Sequence, residues 1–122
     1  KGRAIILAGG TGNPFFTTDT AAALRAAELE CDVLIKATNT DGVFNKDPRT
    51  NVDATRFETI SFRAAVSRGL MVMDRTAFLL CEENGIPIIV FNSKKLQDLK
   101  RIVCGERIGT LVSNKRTKTV NH

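Results

Sequence analysis

Apolar residues gather in four short runs, Ala4 to Ala8, Val33 to Ile35, Ile86 to Phe91 and Gly109 to Val112. Runs of that length, bounded by glycine, proline and polar residues, predict buried strands. The stretches between them carry helical patterns. Thr18 or Asp19 can cap a helix reaching about Leu29, and Asp74 can begin another through Asn84, with Gly85 as its stop. Leu96, Leu99, Ile102 and Val103 give a third helix its apolar stripe, and a shorter one is expected from Ser61 to Arg68. Strands alternating with helices predict α/β layers with a mostly parallel sheet. Between Asp41 and Phe57 the chain turns polar, with Gly42, Asn45, Pro48 and Asn51 marking a long surface loop. The residues after Ser113, NKRTKTVNH, predict a flexible polar tail. Organisation is thus expected as one unit over 1–113 and a tail over 114–122.

Composition narrows the functional classes. The chain has 122 residues, 43% hydrophobic and 25% charged, which suits a single globular domain with a useful core. Its longest apolar runs fall far short of the roughly 18 residues a membrane-spanning helix needs. Lys1-Gly2-Arg3 leads straight into the first strand without Met or a signal segment, so the sequence is expected to be cut from something longer. Cys31, Cys81 and Cys104 have no paired close spacing and suggest a reducing compartment rather than a zinc or disulfide framework. His122 is the single histidine and lies at the end of the tail. Histidine-based acid–base catalysis and the serine and cysteine triads are therefore set aside, leaving Asp, Glu, Lys, Arg, hydroxyls and amides. Phosphoryl transfer needs little more, because positioning and charge neutralisation carry most of it. The net charge of +5 includes Lys94, Lys95, Lys100, Arg101, Arg107, Lys115, Arg116 and Lys118, with no Trp or Tyr for base stacking. A solvated basic face is expected there rather than a nucleic-acid surface.

The most informative stretch is GGTGNPFFTTD, Gly9 to Asp19, placed between the first strand and the first helix. Glycines and threonines running into a helix N-terminus gather main-chain N–H groups around one point, which suits an anion such as phosphate. Asp19 has two available roles, a helix cap or a carboxylate holding a lysine or Mg²⁺ beside phosphates. Asp74 likewise suits an N-cap. Lys36 can neutralise a phosphate or stand in solvent at a strand end.

Four motifs in order, GTGNPFFTTD (Gly10 to Asp19), KATNTDGVFNKDP (Lys36 to Pro48), VMDRTAF (Val72 to Phe78) and PIIVFN (Pro87 to Asn92), closely resemble bacterial-type UMP kinases of the amino-acid kinase family. The resemblance reaches to about Ser113 and implies an α/β fold of three layers, α/β/α, around a mostly parallel sheet. It implies transfer of the ATP γ-phosphoryl group to UMP with Mg²⁺, giving UDP and ADP. It assigns UMP binding to Thr11, Gly12, Asn13, Pro14, Phe15, Phe16, Thr17 and Thr18, with core packing the other reading for the two phenylalanines. It assigns ATP contacts to Thr38, Phe44 and Asp47, to which Lys36 is added as a phosphate neutraliser, and catalytic roles to Asp19 and Asp74. No separate metal-ligand set is implied within this chain. The family's N-terminal half, with its lysine, Ser-Gly-Glu segment, glycine-rich loop, Arg and Asp, is not in this sequence. Members commonly form homohexamers responsive to GTP and UTP, which carries over only with that half. Bacterial members more often have KATKVDGVY. Asn39, the LLCEEN stretch around Cys81 to Asn84, Ile89 and GERIGTL from Gly105 to Leu111 look more like cyanobacterial and plastid sequences, which implies a chloroplast stroma or a bacterial cytoplasm. The rival expectation is a catalytically silent, nucleotide-sensing or structural subunit of a larger assembly.

Overall fold

The computed structural model describes residues 4–7, 18–70, 72–95, 97–106, 108–114 and 118–119. In chain order the elements are β1 (Ala4–Leu7), α1 (Thr18–Glu28), β2 (Val33–Thr38), β3 (Phe57–Ser61), α2 (Phe62–Ser67), α3 (Arg75–Glu83), β4 (Ile88–Asn92), α4 (Gln97–Val103), β5 (Thr110–Ser113) and β6 (Lys118–Thr119). The strands form one sheet in the order β1-β2-β4-β5-β3-β6. β1 and β4 flank β2 in parallel, in register Ala4↔Val33 and Leu34↔Ile88, and β3 runs parallel to β5. β5 is antiparallel to β4 and β6 antiparallel to β3. The sheet is mostly parallel, as the strand–helix alternation implied.

Alternation along β2 divides the molecule into layers. Leu34 faces a core built with Ile60, Ile88, Val90 and Val112 from the sheet and with Ala23, Ala26, Phe62, Phe78 and Cys81 from α1, α2 and α3. Ile35 and Ala37 face the other side, with Phe91 of β4 and against Ile102 of α4. Period-two alternation therefore puts Lys36 and Thr38 on the α1/α3 side. Ala23 and Ala26, 1% and 0% exposed, let α1 approach the sheet closely. Phe62 and Phe78 meet edge to face at 5.0 Å, the favoured arrangement for an aromatic pair, and join α2 to α3.

The four helices among the described residues end the same way. Two main-chain bonds reach back from the exit turn, Cys31 to Ala26 and Glu30 to Ala27 after α1, Leu70 to Ala65 and Gly69 to Val66 after α2, Ile86 to Cys81 and Gly85 to Glu82 after α3, Glu106 to Arg101 and Gly105 to Ile102 after α4. This pairing needs a left-handed residue between helix and exit. Glycine supplies it three times; after α1 the position is held by Glu30 at φ 52°.

Two strands exceed the expectation. β3 begins where the polar stretch was expected to end, and β6 lies within the segment expected to be a tail. The segment from Asp41 to Arg56 has no named strand or helix, yet it is internally bonded. Phe44 and Arg56 form an antiparallel bridge, Asn45 N donates to Thr55 O, and Phe57 N donates to Val43 O.

Candidate functional site

The C-terminal end of β2 meets the N-terminal ends of α1 and α3. Lys36, 13% exposed in its side chain, donates from Nζ to Asp19 Oδ1 at 2.8 Å. Asp19 Oδ2 accepts from the main-chain N–H of Asp74 at 3.2 Å. Asp19 thus bridges a β2 lysine and the start of α3, in the first turn of a helix that begins at Thr18. The carboxylate thus takes one bond from an ammonium and one from a main-chain N–H at a helix N-terminus.

Asp74 is the N-cap of α3: its Oδ1 accepts from Ala77 N at 2.9 Å. The same carboxylate faces the Thr20 hydroxyl, at 3.2 Å from Oδ1 and 3.4 Å from Oδ2. Cys81, fully buried one helical face below, has its thiol pushed up to about 11, first by burial and then by the Asp19 charge. It is an inert core thiol at neutral pH.

Thr38 stands two residues beyond Lys36 on the same face of β2, roughly 7 Å further along. Its hydroxyl lies 3.0 Å from Thr40 O and 3.3 Å from Phe91 O, and accepts from Thr40 N, turning the chain sharply out of β2. Asp41 then accepts from Asn92 Nδ2 at 3.1 Å and Lys95 Nζ at 3.0 Å. The Asn92 bond foremost, then Lys95, holds its carboxyl below the usual value. Phe44 is half-buried in its bridge to Arg56. Asp47 is exposed, and its Oδ1 accepts from Arg49 N at 2.9 Å and Arg49 Nε at 3.3 Å. The main-chain bond is the larger cause that lowers its carboxyl. The structure therefore brings Lys36, Asp19 and Asp74 together and strings Thr38, Phe44 and Asp47 along the segment leading away from them. Thr11, Gly12, Asn13, Pro14, Phe15, Phe16 and Thr17 lie outside the described residues; Thr18 opens α1.

That segment is anchored by residues for which the motifs gave no structural signal. Thr110, fully buried on β5, donates from Oγ1 to Phe57 O at 2.6 Å and accepts from Val43 N at 2.9 Å. Gly42 lies so close that a Cβ there would stand 2.5 Å from Thr110 Oγ1. The Arg56 guanidinium donates to Gly109 O. Thr20 also went unread: nothing in TTDT distinguishes it from its neighbours, and only the packing of α1 on α3 places it. A cavity of about 160 Å³ floored by Ile89, Ile102, Ile108 and Leu111, and a polar one of about 300 Å³ beside Asn92, Lys95 and Arg101, lie toward α4, across the sheet from Lys36. Among the described residues no three His, Cys, Asp or Glu side chains cluster as a metal site, and no helix is long and apolar enough to cross a membrane.

A mostly parallel sheet whose strand ends and helix N-termini converge on one lysine–aspartate pair defines a protein of the α/β class. The chain belongs to the amino acid kinase family, whose model matches residues 1–92. It is 52% identical over 112 residues, 92% of its length, to the chloroplastic uridylate kinase PUMPKIN of Arabidopsis thaliana, and covers 33% of that protein. Its fold superimposes on the UMP kinase of Bacillus anthracis with a TM-score of 0.84 at 34% identity, covering 92% of this chain and 46% of that one. The UMP kinase of Ureaplasma parvum gives 0.72 at 31% identity, covering 91% and 60%. The chain thus spans about a third of the curated relative and about half of the Bacillus protein.

Proposed function

We propose that this chain is the C-terminal, nucleotide-binding half of a UMP kinase, acting in pyrimidine nucleotide synthesis. In the reaction a UMP phosphate oxygen attacks the ATP γ-phosphorus while the bond to the β–γ bridging oxygen breaks, releasing ADP and leaving UDP. The observation that carries the reading is the Lys36–Asp19 pair, next in sequence to the stretch assigned to UMP. Lys36 would neutralise charge on the transferred group, and Asp19 would hold Lys36 where that charge develops. ATP would lie along Thr38, Phe44 and Asp47, with UMP under Thr11 to Thr18. Mg²⁺ would enter with ATP; it keeps most of its waters and needs only a carboxylate or two besides phosphate oxygens, which Asp19 could supply. Asp74 would act by fixing Asp19.

The test is a coupled assay for UDP formation from UMP, ATP and Mg²⁺ by the full-length protein, with intact mass measured on the same sample. Turnover that falls at least a hundredfold in Asp19→Asn supports the reading. Nucleotide binding without turnover refutes it and favours a silent, nucleotide-sensing subunit. The plastid relative makes a chloroplast stroma the compartment to examine first, and light scattering would show whether the full-length protein is a hexamer.

A further inference from the structure

Asp19 and Thr20 are consecutive residues in the first turn of α1, and both contact Asp74 at the start of α3. Asp19 Oδ2 accepts from Asp74 N at 3.2 Å, while the Thr20 hydroxyl donates to the Asp74 carboxylate, 3.2 Å from Oδ1. One residue of α3 is thus gripped through its main chain and its side chain. Its carboxylate is in turn fixed by the cap bond from Ala77 N, so the start of α3 is a stiff anchor. Asp19 has its other oxygen on Lys36. Any slip of α3 along α1 would therefore carry Asp19, and with it the ammonium of Lys36.

We propose that Thr20 is a positioning residue that locks the α3 N-terminus onto α1, so that Asp19 and Lys36 stand at one place relative to the transferred phosphoryl group. Its part in turnover rests on the kinase reading above. Threonine suits the task. Its single hydroxyl proton goes to a carboxylate, a stronger bond than one between neutral groups, and its branched Cβ keeps χ1 stiff. Catalytic alignment is sensitive to small shifts, a misplacement of about 1 Å being enough to lower a rate about a hundredfold.

The experiment compares Thr20→Val and Thr20→Ser in the full-length protein. The valine variant is expected to lower kcat about tenfold with both KM values within about twofold, and serine to restore it. In the Asp19→Asn background Thr20→Val should change kcat less than about twofold, because both substitutions disable one unit. A valine variant with unchanged kcat, a loss that serine does not rescue, or independent additive effects would overturn the proposal. A second arm needs no turnover: with ¹³C-labelled aspartate, the Asp19 carboxyl resonance should shift in Thr20→Val and stay in Thr20→Ser, and an unmoved resonance in both overturns the proposal. Thr20→Ala replaces valine in either arm if valine does not fold. Absence of UDP formation by the unmutated protein would overturn the kinase reading alone, and the resonance then decides Thr20.

Discussion

Thr110→Val replaces a hydroxyl by a methyl of similar volume at a site with no exposure, so packing is kept and two hydrogen bonds are lost. The Val43 N–H, in a residue 5% exposed, loses its acceptor, and the Phe57 carbonyl, in a residue 1% exposed, loses a donor at 2.6 Å. A buried polar group stripped of its partner is destabilising by about 1–3 kcal/mol. The amide counts in full and the carbonyl, which has a second lone pair, in part, giving roughly 3 kcal/mol. That is a large share of the about 5–15 kcal/mol by which domains are stable. At roughly 3–4 °C per kcal/mol for a chain of this size, Tm should fall by about 10 °C. Thr110→Ser, which keeps the hydroxyl and loses one methyl, should cost about 1 kcal/mol. Thermal unfolding followed by circular dichroism measures both. A valine variant within 3 °C of the parent, or a serine variant as unstable as valine, would show that the hydroxyl does not hold Val43 and Phe57.

Three further outcomes follow from the geometry. Gly109→Ala would place a Cβ on Val90 O at φ +77°, forcing β4 and β5 apart, and should destabilise by more than about 3 kcal/mol or prevent folding, read by denaturant titration. Glu30→Gly should stabilise by about 1 kcal/mol, because Glu30 holds a left-handed exit that glycine fills after the other helices; a lower urea midpoint would refute this. Cys81, raised in the fold from 9.0 to about 11, keeps its proton after the unfolded thiol has lost it. Its contribution is complete below pH 9 and lost as pH rises through 11, about 3 kcal/mol in all, so Cys81→Ala should flatten the alkaline fall in stability.

How far the chain discloses itself depends on sequence distance. α3 was legible at both ends because Asp74 and Gly85 act on residues three or four positions away. The presence of β2 and β4 followed from aliphatic runs, but β2 continues past Ile35 to Thr38 and β4 covers Ile88 to Asn92 rather than Ile86 to Phe91. β3 was not legible: FETIS mixes charged, hydroxyl and apolar residues, and the parallel partner that makes it a strand, β5, lies about fifty residues away. The site behaves alike. Asp19 and Lys36 could each be named, but each kept two readings, since their meeting depends on how α1 crosses β2. Gly109 and Thr110 carried a signal, in GERIGTL, that pointed to a lineage; their role in seating the Asp41 to Phe57 segment appears only when β5 is placed beside β3.

The strand order has a consequence during synthesis. β3 sits between β5 and β6, so neither its parallel nor its antiparallel neighbour exists until about fifty residues after it has been made. Val43 waits for Thr110 in the same way. As the chain emerges, β1, α1, β2, α3 and β4 can pack in sequence, while the segment from Asp41 to Phe57 stays unseated until the last strands arrive. A nascent chain halted before Gly109 would present that segment, with β3 still unpaired, to chaperones and proteases, and β5 and β6 close a structure whose Lys36–Asp19 pair was made first.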